Sequence, residues 1–288
     1  MPVSALALVL SAALFHAAWN ALTKRGRDPL AFLWSANTLG GVLLLPWAAR
    51  ELALTGVPAA AWPFVSATIA LHAIYFYFLG RAYRSGDYSL VYPIARGVSV
   101  GLVPILAFFL LGERLSPLGS VGVALVVLGL VALQLAGRGA GSSEGARWPL
   151  RAGTGWALLT GLTIAGYSLV DKAGVARLHP VPYLAFIGFG QTLLLLPPLL
   201  RRPGVLRREW AANWQTLLVA SVLTLGGYLL VLFAFRLSKA GYVVAAREVS
   251  IVFSAIIGSV WLGEGRLGPR LLGAGVMLAG VTCVAFAR

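Results

Sequence analysis

Apolar stretches long enough to cross a membrane follow one another along the chain. A helix of about 20 apolar residues spans the hydrocarbon core of a bilayer. Ten stretches of this kind occur, separated by short polar connections. Inside hydrocarbon a helix satisfies its own backbone hydrogen bonds, so these stretches predict helices. The predicted spans are 3–22, 30–49, 61–81, 88–111, 118–136, 152–170, 181–200, 213–235, 242–262 and 270–287.

The composition excludes a soluble domain. Of 288 residues, 59% are hydrophobic and 11% are charged, whereas a soluble domain carries about 25% charged residues. The formal charge is +14, but the basic residues lie in short clusters between apolar stretches, which is typical of membrane anchors and not of a nucleic-acid surface. The single cysteine, Cys283, excludes an internal disulfide and offers no metal-ligand set. We expect an all-α polytopic membrane protein with no cofactor, no metal and no nucleic-acid partner.

The two halves of the chain follow one plan. The stretch 88–117, YSLVYPIARGVSVGLVPILAFFLLGERLSP, returns in altered form at 242–269 as YVVAAREVSIVFSAIIGSVWLGEGRLGP, with Arg96 aligned on Arg247. Self-similarity over half the chain length indicates an internal duplication. Because each half holds five spans, the second copy is inverted in the membrane relative to the first. The predicted repeats are 1–137 and 152–288, joined by a Gly- and Ser-rich linker at 138–151.

The segments LGERLSP and LGEGRLGP, with a Gly-rich helix after each, resemble the drug/metabolite transporter superfamily. Within it the chain is similar to the ten-helix EamA-like exporter family, which includes bacterial amino-acid exporters. The resemblance covers essentially the whole chain. It implies a secondary transporter that exports amino acids or related small metabolites across the bacterial inner membrane, by alternating access around a central cavity built from spans 1, 3, 4, 6, 8 and 9. We expect a functional monomer without enzymatic activity.

Other functions stay open at this stage. Members of the family also move sugars, nucleotide-linked compounds and drugs, so export of amphipathic drugs or other metabolites is an alternative. A membrane scaffold that transports nothing is another, and it needs no polar side chains within the spans. Orientation is also open. The odd-numbered connections hold more basic residues, which by the positive-inside rule places the termini outside, whereas the resemblance implies cytoplasmic termini.

Ionisable residues at membrane depth are the first candidates for a substrate site, because each costs about 2.5 to 3.5 kcal/mol on insertion. Arg96, Arg247 and Glu248 lie within the fourth and ninth spans. A guanidinium group can hold a substrate carboxylate through two parallel hydrogen bonds. Alternatively, Glu248 neutralises one arginine and the group only fixes helix packing or gating. Side chains at i and i+1 diverge on a helix, so Glu248 then pairs with another helix rather than with Arg247.

Polar and aromatic residues within the spans could complete a cavity wall. His16 and Asn20 share one face of the first span, with Trp19 beside them. Amphipathic aromatic residues can offer an apolar face and a hydroxyl to a small solute, although each can equally serve packing. His16, His72 and Glu248 are candidate proton carriers, and both proton coupling and facilitated diffusion are compatible with them. The predicted substrate-binding residues are Arg96, Arg247, His16, Trp19, Asn20, Tyr75, Tyr92, Tyr167, Tyr228 and Glu248.

Overall fold

Every regular element in the described part of the chain is a helix. The computed structural model describes residues 1–23, 26–85, 88–138, 152–253 and 268–287, without the side chains of 29, 80, 83–93, 134–138, 152 and 268–271. The described helices are α1 (Val3–Thr23), α2 (Pro29–Thr55), α3 (Trp62–Ser85), α4 (Tyr88–Leu111), α5 (Pro117–Arg138), α6 (Ala152–Val175), α7 (Pro180–Leu200), α8 (Val205–Leu237), α9 (Ala240–Arg247) and α10 (Gly268–Phe286). The short 3₁₀ turn Ala59–Ala61 precedes α3. Most of the predicted linker lies outside the described residues.

The helices have the length and surface of a membrane protein. Among the described residues, α1, α2, α3, α4, α7 and α8 contain stretches long and apolar enough to cross a bilayer. In α5 and α10 the described apolar stretches are shorter, at Pro117–Leu133 and Leu272–Phe286. Large apolar side chains such as Phe109 and Leu193 are exposed on the outside, which a bilayer tolerates and water does not. The predicted all-α polytopic membrane fold is confirmed.

Contacts between helices repeat across the two halves. In the two repeats α1 corresponds to α6 and α3 corresponds to α8. α3 packs along α6, and α8 packs along α1 in the same way. Three further pairs join a helix to its own equivalent: α2 with α7, α4 with α9, and α5 with α10. A two-fold exchange of this kind is the arrangement of inverted repeats. The centre of the molecule is therefore shared between the halves.

Glycines bring α5 and α10 into backbone contact. A Cβ atom added to Gly280 would lie 2.7 Å from the carbonyl oxygen of Gly122, and one added to Gly129 would lie 2.6 Å from the backbone nitrogen of Met277. The alignment that places Arg96 on Arg247 also places Gly122 on Gly273 and Gly129 on Gly280. Small residues at a helix crossing permit close packing where hydrocarbon gives no hydrophobic driving force. The duplication therefore produced both sides of this contact.

A buried carboxylate holds the connection between α1 and α2. Glu209 of α8 accepts hydrogen bonds from the backbone nitrogens of Arg27 and Asp28, at 3.3 and 2.9 Å, and from Asn213 Nδ2 at 2.7 Å. Asp28 in turn caps α2, because its side chain accepts from the backbone nitrogen of Ala31 at 2.9 Å. This end of the bundle is therefore closed by hydrogen bonds between the two halves.

The predicted ninth span, 242–262, is not continuous in its described part, which is a correction to the sequence prediction. α9 ends at Arg247, Glu248 forms a turn, and residues 249–253 are helical again. The backbone nitrogen of Glu248 bonds to the carbonyl of Ala245 at 3.2 Å, so the last turn tightens. Residues 254–262 lie outside the described part. Glu248 keeps nearly helical backbone angles, with φ of -66° and ψ of -14°, so the side chains of the neighbours Arg247 and Glu248 diverge as they do on any helix.

We predict that Gly280→Leu separates α5 from α10 and lowers the free energy of unfolding by about 1 to 3 kcal/mol, the usual cost of overpacking. Thermal unfolding in detergent measures the change. Gly275→Leu on the same helix is the matched control, because Gly275 is exposed and its added Cβ meets no atom within 4 Å. Equal melting temperatures for the two variants would contradict the proposed packing.

Candidate functional site

A cavity of about 120 Å³ lies between the two halves. It differs from the sequence prediction in its walls, because α2 and α7 contribute and no described side chain of α4 does. The polar residues on α2 and α7 that face it are Asn37 and Gln191. Its lining is Ala12, His16, Trp19, Leu33, Asn37, His72, Tyr75, Phe76, Tyr167, Leu184, Ile187, Gly188, Gln191, Thr224, Leu225, Gly227, Tyr228 and Arg247.

Arg247 places a positive charge on the cavity wall. It is the last residue of α9, and its guanidinium carbon lies 5.5 Å from the centre of the Tyr228 ring. It also interacts with the hydroxyl of Tyr167. Aromatic faces attract a cation without neutralising it. The Arg247 guanidinium is therefore a cationic group on the wall of the cavity, held by aromatic neighbours.

Arg96 and Glu248 bind each other away from the cavity. Arg96 Nε donates to Glu248 Oε2 at 3.0 Å, and a second guanidinium nitrogen lies 2.6 Å from Glu248 Oε1. Arg96 is 6% exposed and Glu248 is 1% exposed. This two-pronged contact joins α4 to the end of α9. It corresponds to the packing alternative of the sequence analysis, in which Glu248 pairs across to another helix.

Asp171 of α6 is a buried carboxylate next to the cavity. Its Oδ1 accepts from Thr68 Oγ1 at 2.5 Å and from the Tyr183 hydroxyl at 2.9 Å. Its Oδ2 accepts from the hydroxyl of Tyr228, which lines the cavity. Asp171 is 0% exposed. Hydroxyl groups of α3, α7 and α8 thus surround one carboxyl group of α6.

His72 connects this carboxylate to the cavity from a second side. Its Nδ1 lies 2.9 Å from the carbonyl oxygen of Thr68 and 3.0 Å from Thr68 Oγ1. Since a carbonyl only accepts, Nδ1 carries the hydrogen in the neutral ring and Nε2 is left as the acceptor. The ring stacks on Tyr167 with centres 4.2 Å apart and faces the edge of Tyr228. His72 itself lines the cavity.

The structure brings together six of the ten predicted site residues. His16, Trp19, Tyr75, Tyr167, Tyr228 and Arg247 all line the cavity. Asn20 does not, and its Nδ2 donates to the carbonyl of His16 at 2.7 Å. Arg96 and Glu248 are engaged with each other, and the Tyr92 side chain lies outside the described residues. Within the described part, no three His, Cys, Asp or Glu residues cluster as metal ligands do.

Sequence reasoning missed Asp171 because it ended the sixth span at residue 170. The helix continues to Val175, so the acidic residue lies inside it and not in a loop. An ionisable residue at such a position is itself a signal of function. Asn37, Gln191 and Thr224 were missed for a different reason, since only the packing of their helices decides that these residues face inward.

The profile of the EamA-like transporter family matches residues 3–134 and 151–286. The fold is similar to that of a protein of known crystal structure, with a TM-score of 0.76 and 20% sequence identity, covering 99% of this chain and 97% of that one. No curated protein matches the sequence significantly. The resemblance identified from the sequence is confirmed, and the chain belongs to the EamA-like transporter family.

Proposed function

We propose that the protein exports amino acids or related small zwitterions across the bacterial inner membrane, by alternating access of the cavity between its halves. One observation carries this substrate class. Arg247 lies over the ring of Tyr228, and the hydroxyl of the same tyrosine donates to Asp171. A positive and a negative group thus flank one side chain of the cavity wall.

This pairing of charges fits a zwitterion better than an anion or a cation. The Arg247 fork can receive a carboxylate through two parallel hydrogen bonds. An ammonium group placed near the Tyr228 hydroxyl is attracted by the carboxylate of Asp171 behind it. A singly charged solute uses one of these groups and is repelled by the other. The whole site is then matched by a molecule that carries both charges close together.

The remaining wall favours an apolar side chain on the substrate. Trp19, Tyr75 and Phe76 present aromatic faces, and Leu184 and Ile187 present aliphatic ones. Burial of apolar area contributes about 25 cal/mol per Å², so neutral aliphatic or aromatic amino acids gain most. Charged side chains would have to leave water without a partner here.

Arg96 and Glu248 act in this proposal by positioning Arg247. Glu248 is bound to α4 through Arg96, and the chain turns at Glu248. The preceding residue, Arg247, is thereby directed into the cavity and away from the ion pair. The pair also fixes the contact between α4 and α9, two equivalent helices of the repeats. The two halves would move about this contact during alternating access.

Export of amphipathic drugs is the second candidate, and the aromatic wall favours it. The Arg247 charge disfavours the cationic members of that class. A scaffold without transport is disfavoured by the cavity itself, because polar groups turned toward an internal space serve no purpose in a protein that only binds others. A functional monomer remains our expectation, since the described lining of the cavity comes from both halves of one chain.

We predict saturable uptake of radiolabelled neutral amino acids into liposomes that contain the purified protein. Arg247→Gln should raise the half-saturating concentration by about tenfold or more, because a charge-assisted hydrogen bond contributes about 1.5 to 3 kcal/mol. Arg247→Lys keeps the charge but loses the fork, so an intermediate value is expected. Arg236→Gln is the control, as Arg236 is exposed at the end of α8.

Two results would count against this assignment. Unchanged uptake by Arg247→Gln, at equal amounts of reconstituted protein, would remove Arg247 from the substrate site. No amino-acid flux above empty liposomes in the unaltered protein would favour the drug alternative, which a panel of amphipathic dyes then tests in the same liposomes.

We predict a strong coupling between Arg96 and Glu248 in stability. Arg96→Gln or Glu248→Gln alone leaves a buried charge without its ionic partner, which costs about 3 to 5 kcal/mol. The double variant should recover most of this loss, and unfolding in a denaturing detergent series measures all three. We also expect the double variant to keep measurable amino-acid flux. Stable single variants would contradict the stabilising role of the pair. A double variant that is stable but inactive would show that the charges themselves are needed for transport and not only the packing of α4 against α9.

A further inference from the structure

We propose that Asp171 is a proton-binding site, and that its proton is exchanged for the substrate in each export cycle. The proposal rests on the transport function above and assigns its energy source. It would make the protein a proton antiporter. The site consists of Asp171 with its three hydroxyl partners, Thr68, Tyr183 and Tyr228, and of His72 beside Thr68.

The partners of Asp171 suit a carboxyl group that changes its charge. Among the described residues, the groups that hydrogen-bond to Asp171 are hydroxyls, and none is an ammonium or guanidinium group. A fixed cation would hold the carboxylate permanently ionised. Hydroxyls donate to a carboxylate and, after rotation, accept from a protonated carboxyl. The same three groups can therefore satisfy both states of Asp171.

The nearest lysine in the chain is used elsewhere. Lys172 follows Asp171 directly, but its Nζ donates to the backbone carbonyls of Phe235 and Ser238 and lies 3.5 Å from Glu113. Successive side chains on a helix point in different directions. The Lys172 ammonium group thus binds at the end of α8 and at the turn between α4 and α5. It does not neutralise Asp171, whose partners are the hydroxyl groups.

Two hydrogen-bonded routes lead from the cavity to Asp171. The first runs from the His72 ring through Thr68, because Nδ1 donates to Thr68 and the Thr68 hydroxyl donates to Asp171. The second is the Tyr228 hydroxyl itself. A proton that enters the cavity can reach the carboxyl group by either route, without opening the space around Asp171 to bulk water.

The surroundings of the site contain few other titrating groups. Among the described residues, the titratable and charged side chains that lie close to Asp171 and its cavity are His16 of α1, His72 and Tyr75 of α3, Tyr167 and Lys172 of α6, Tyr183 of α7, Tyr228 of α8, Arg247 of α9 and Arg96 of α4, the last being bound to Glu248. Arg247 is held at the Tyr228 ring, on the cavity side of the hydroxyl. Of the acidic residues described near the cavity, Asp171 is the one without a bound arginine or lysine.

Protonation of Asp171 opposes substrate binding through charge. The ionised carboxylate attracts a substrate ammonium group across the Tyr228 hydroxyl, and protonation removes this attraction. Linkage requires the reverse as well, so a bound ammonium group weakens proton binding by the same factor. One proton taken up from outside releases one substrate there, and the next substrate from the cytoplasm releases that proton inside. The exchange is balanced in protons and yields antiport.

Infrared spectroscopy tests the proton site without any substrate. We expect difference spectra of the reconstituted protein between high and low pH to contain the carbonyl stretch of a buried protonated carboxyl. Asp171→Asn should abolish that band. Glu209→Gln, which alters a buried carboxyl group outside the cavity, should leave it in place. A band that is missing in the unaltered protein, or that survives in Asp171→Asn, would overturn the proposal.

Transport by the same liposomes tests the coupling. At clamped membrane potential, a pH difference of one unit supports roughly tenfold accumulation of a radiolabelled amino acid if one proton is exchanged per substrate. Asp171→Asn should lose this accumulation. Exchange of internal for external amino acid at equal pH should persist at a higher half-saturating concentration, because the variant keeps Arg247 but loses the attraction of the carboxylate for the ammonium group. Retained exchange also demonstrates that the variant is folded.

The remaining outcomes each have a defined meaning. Accumulation that persists in Asp171→Asn overturns the coupling role. Accumulation driven by a sodium gradient instead of a pH gradient overturns proton coupling and indicates coupling to sodium. If the unaltered protein exchanges no amino acid, the proposed substrate is wrong, and the infrared titration still decides whether Asp171 binds a proton.

Discussion

An ionised side chain inside a membrane must find a partner within the protein, because hydrocarbon offers none. The interior of this protein is arranged around three ways of meeting that requirement. Arg96 and Glu248 neutralise each other. Arg247 is held by aromatic faces and interacts with a hydroxyl. Asp171 accepts hydrogen bonds from three hydroxyl groups of the described residues. In the first arrangement two opposite charges meet, whereas in the other two the charged group is held by uncharged side chains.

The duplicated architecture explains where these charges lie. Inverted repeats place equivalent helices face to face at the centre, so Arg96 and Arg247 begin from equivalent positions. They differ because Glu248 aligns with Gly97 in the first half. A single acidic residue in one copy thus captures the arginine of the other copy and leaves its own neighbour, Arg247, free to face the cavity. The repeats determine how the helices are arranged, and this difference between them leaves one arginine, Arg247, on the cavity wall.

The candidate site could be predicted only in part from the sequence. Arg247 could be predicted because an ionisable residue within a span is costly, and Trp19, Tyr75, Tyr167 and Tyr228 because amphipathic aromatic residues in the middle of a span can line a cavity. Asp171 was missed by one residue, since hydropathy places span ends loosely and an acidic residue itself marks an apparent end. The inward direction of Asn37 and Gln191 depends on how α2 and α7 are rotated, and hydropathy alone carries no signal for that rotation.

The sequence by itself determined the class of protein, the number of its spans and their division into two related halves. These properties follow from local composition and from self-similarity, and neither depends on how distant parts of the chain pack together. Only the tertiary structure decided which charges meet. The partners of Arg96 and Asp171 lie 152 and 103 residues away, at Glu248 and Thr68. The packing of α4 against α9 and of α3 against α6, each between the two halves, brings these partners together.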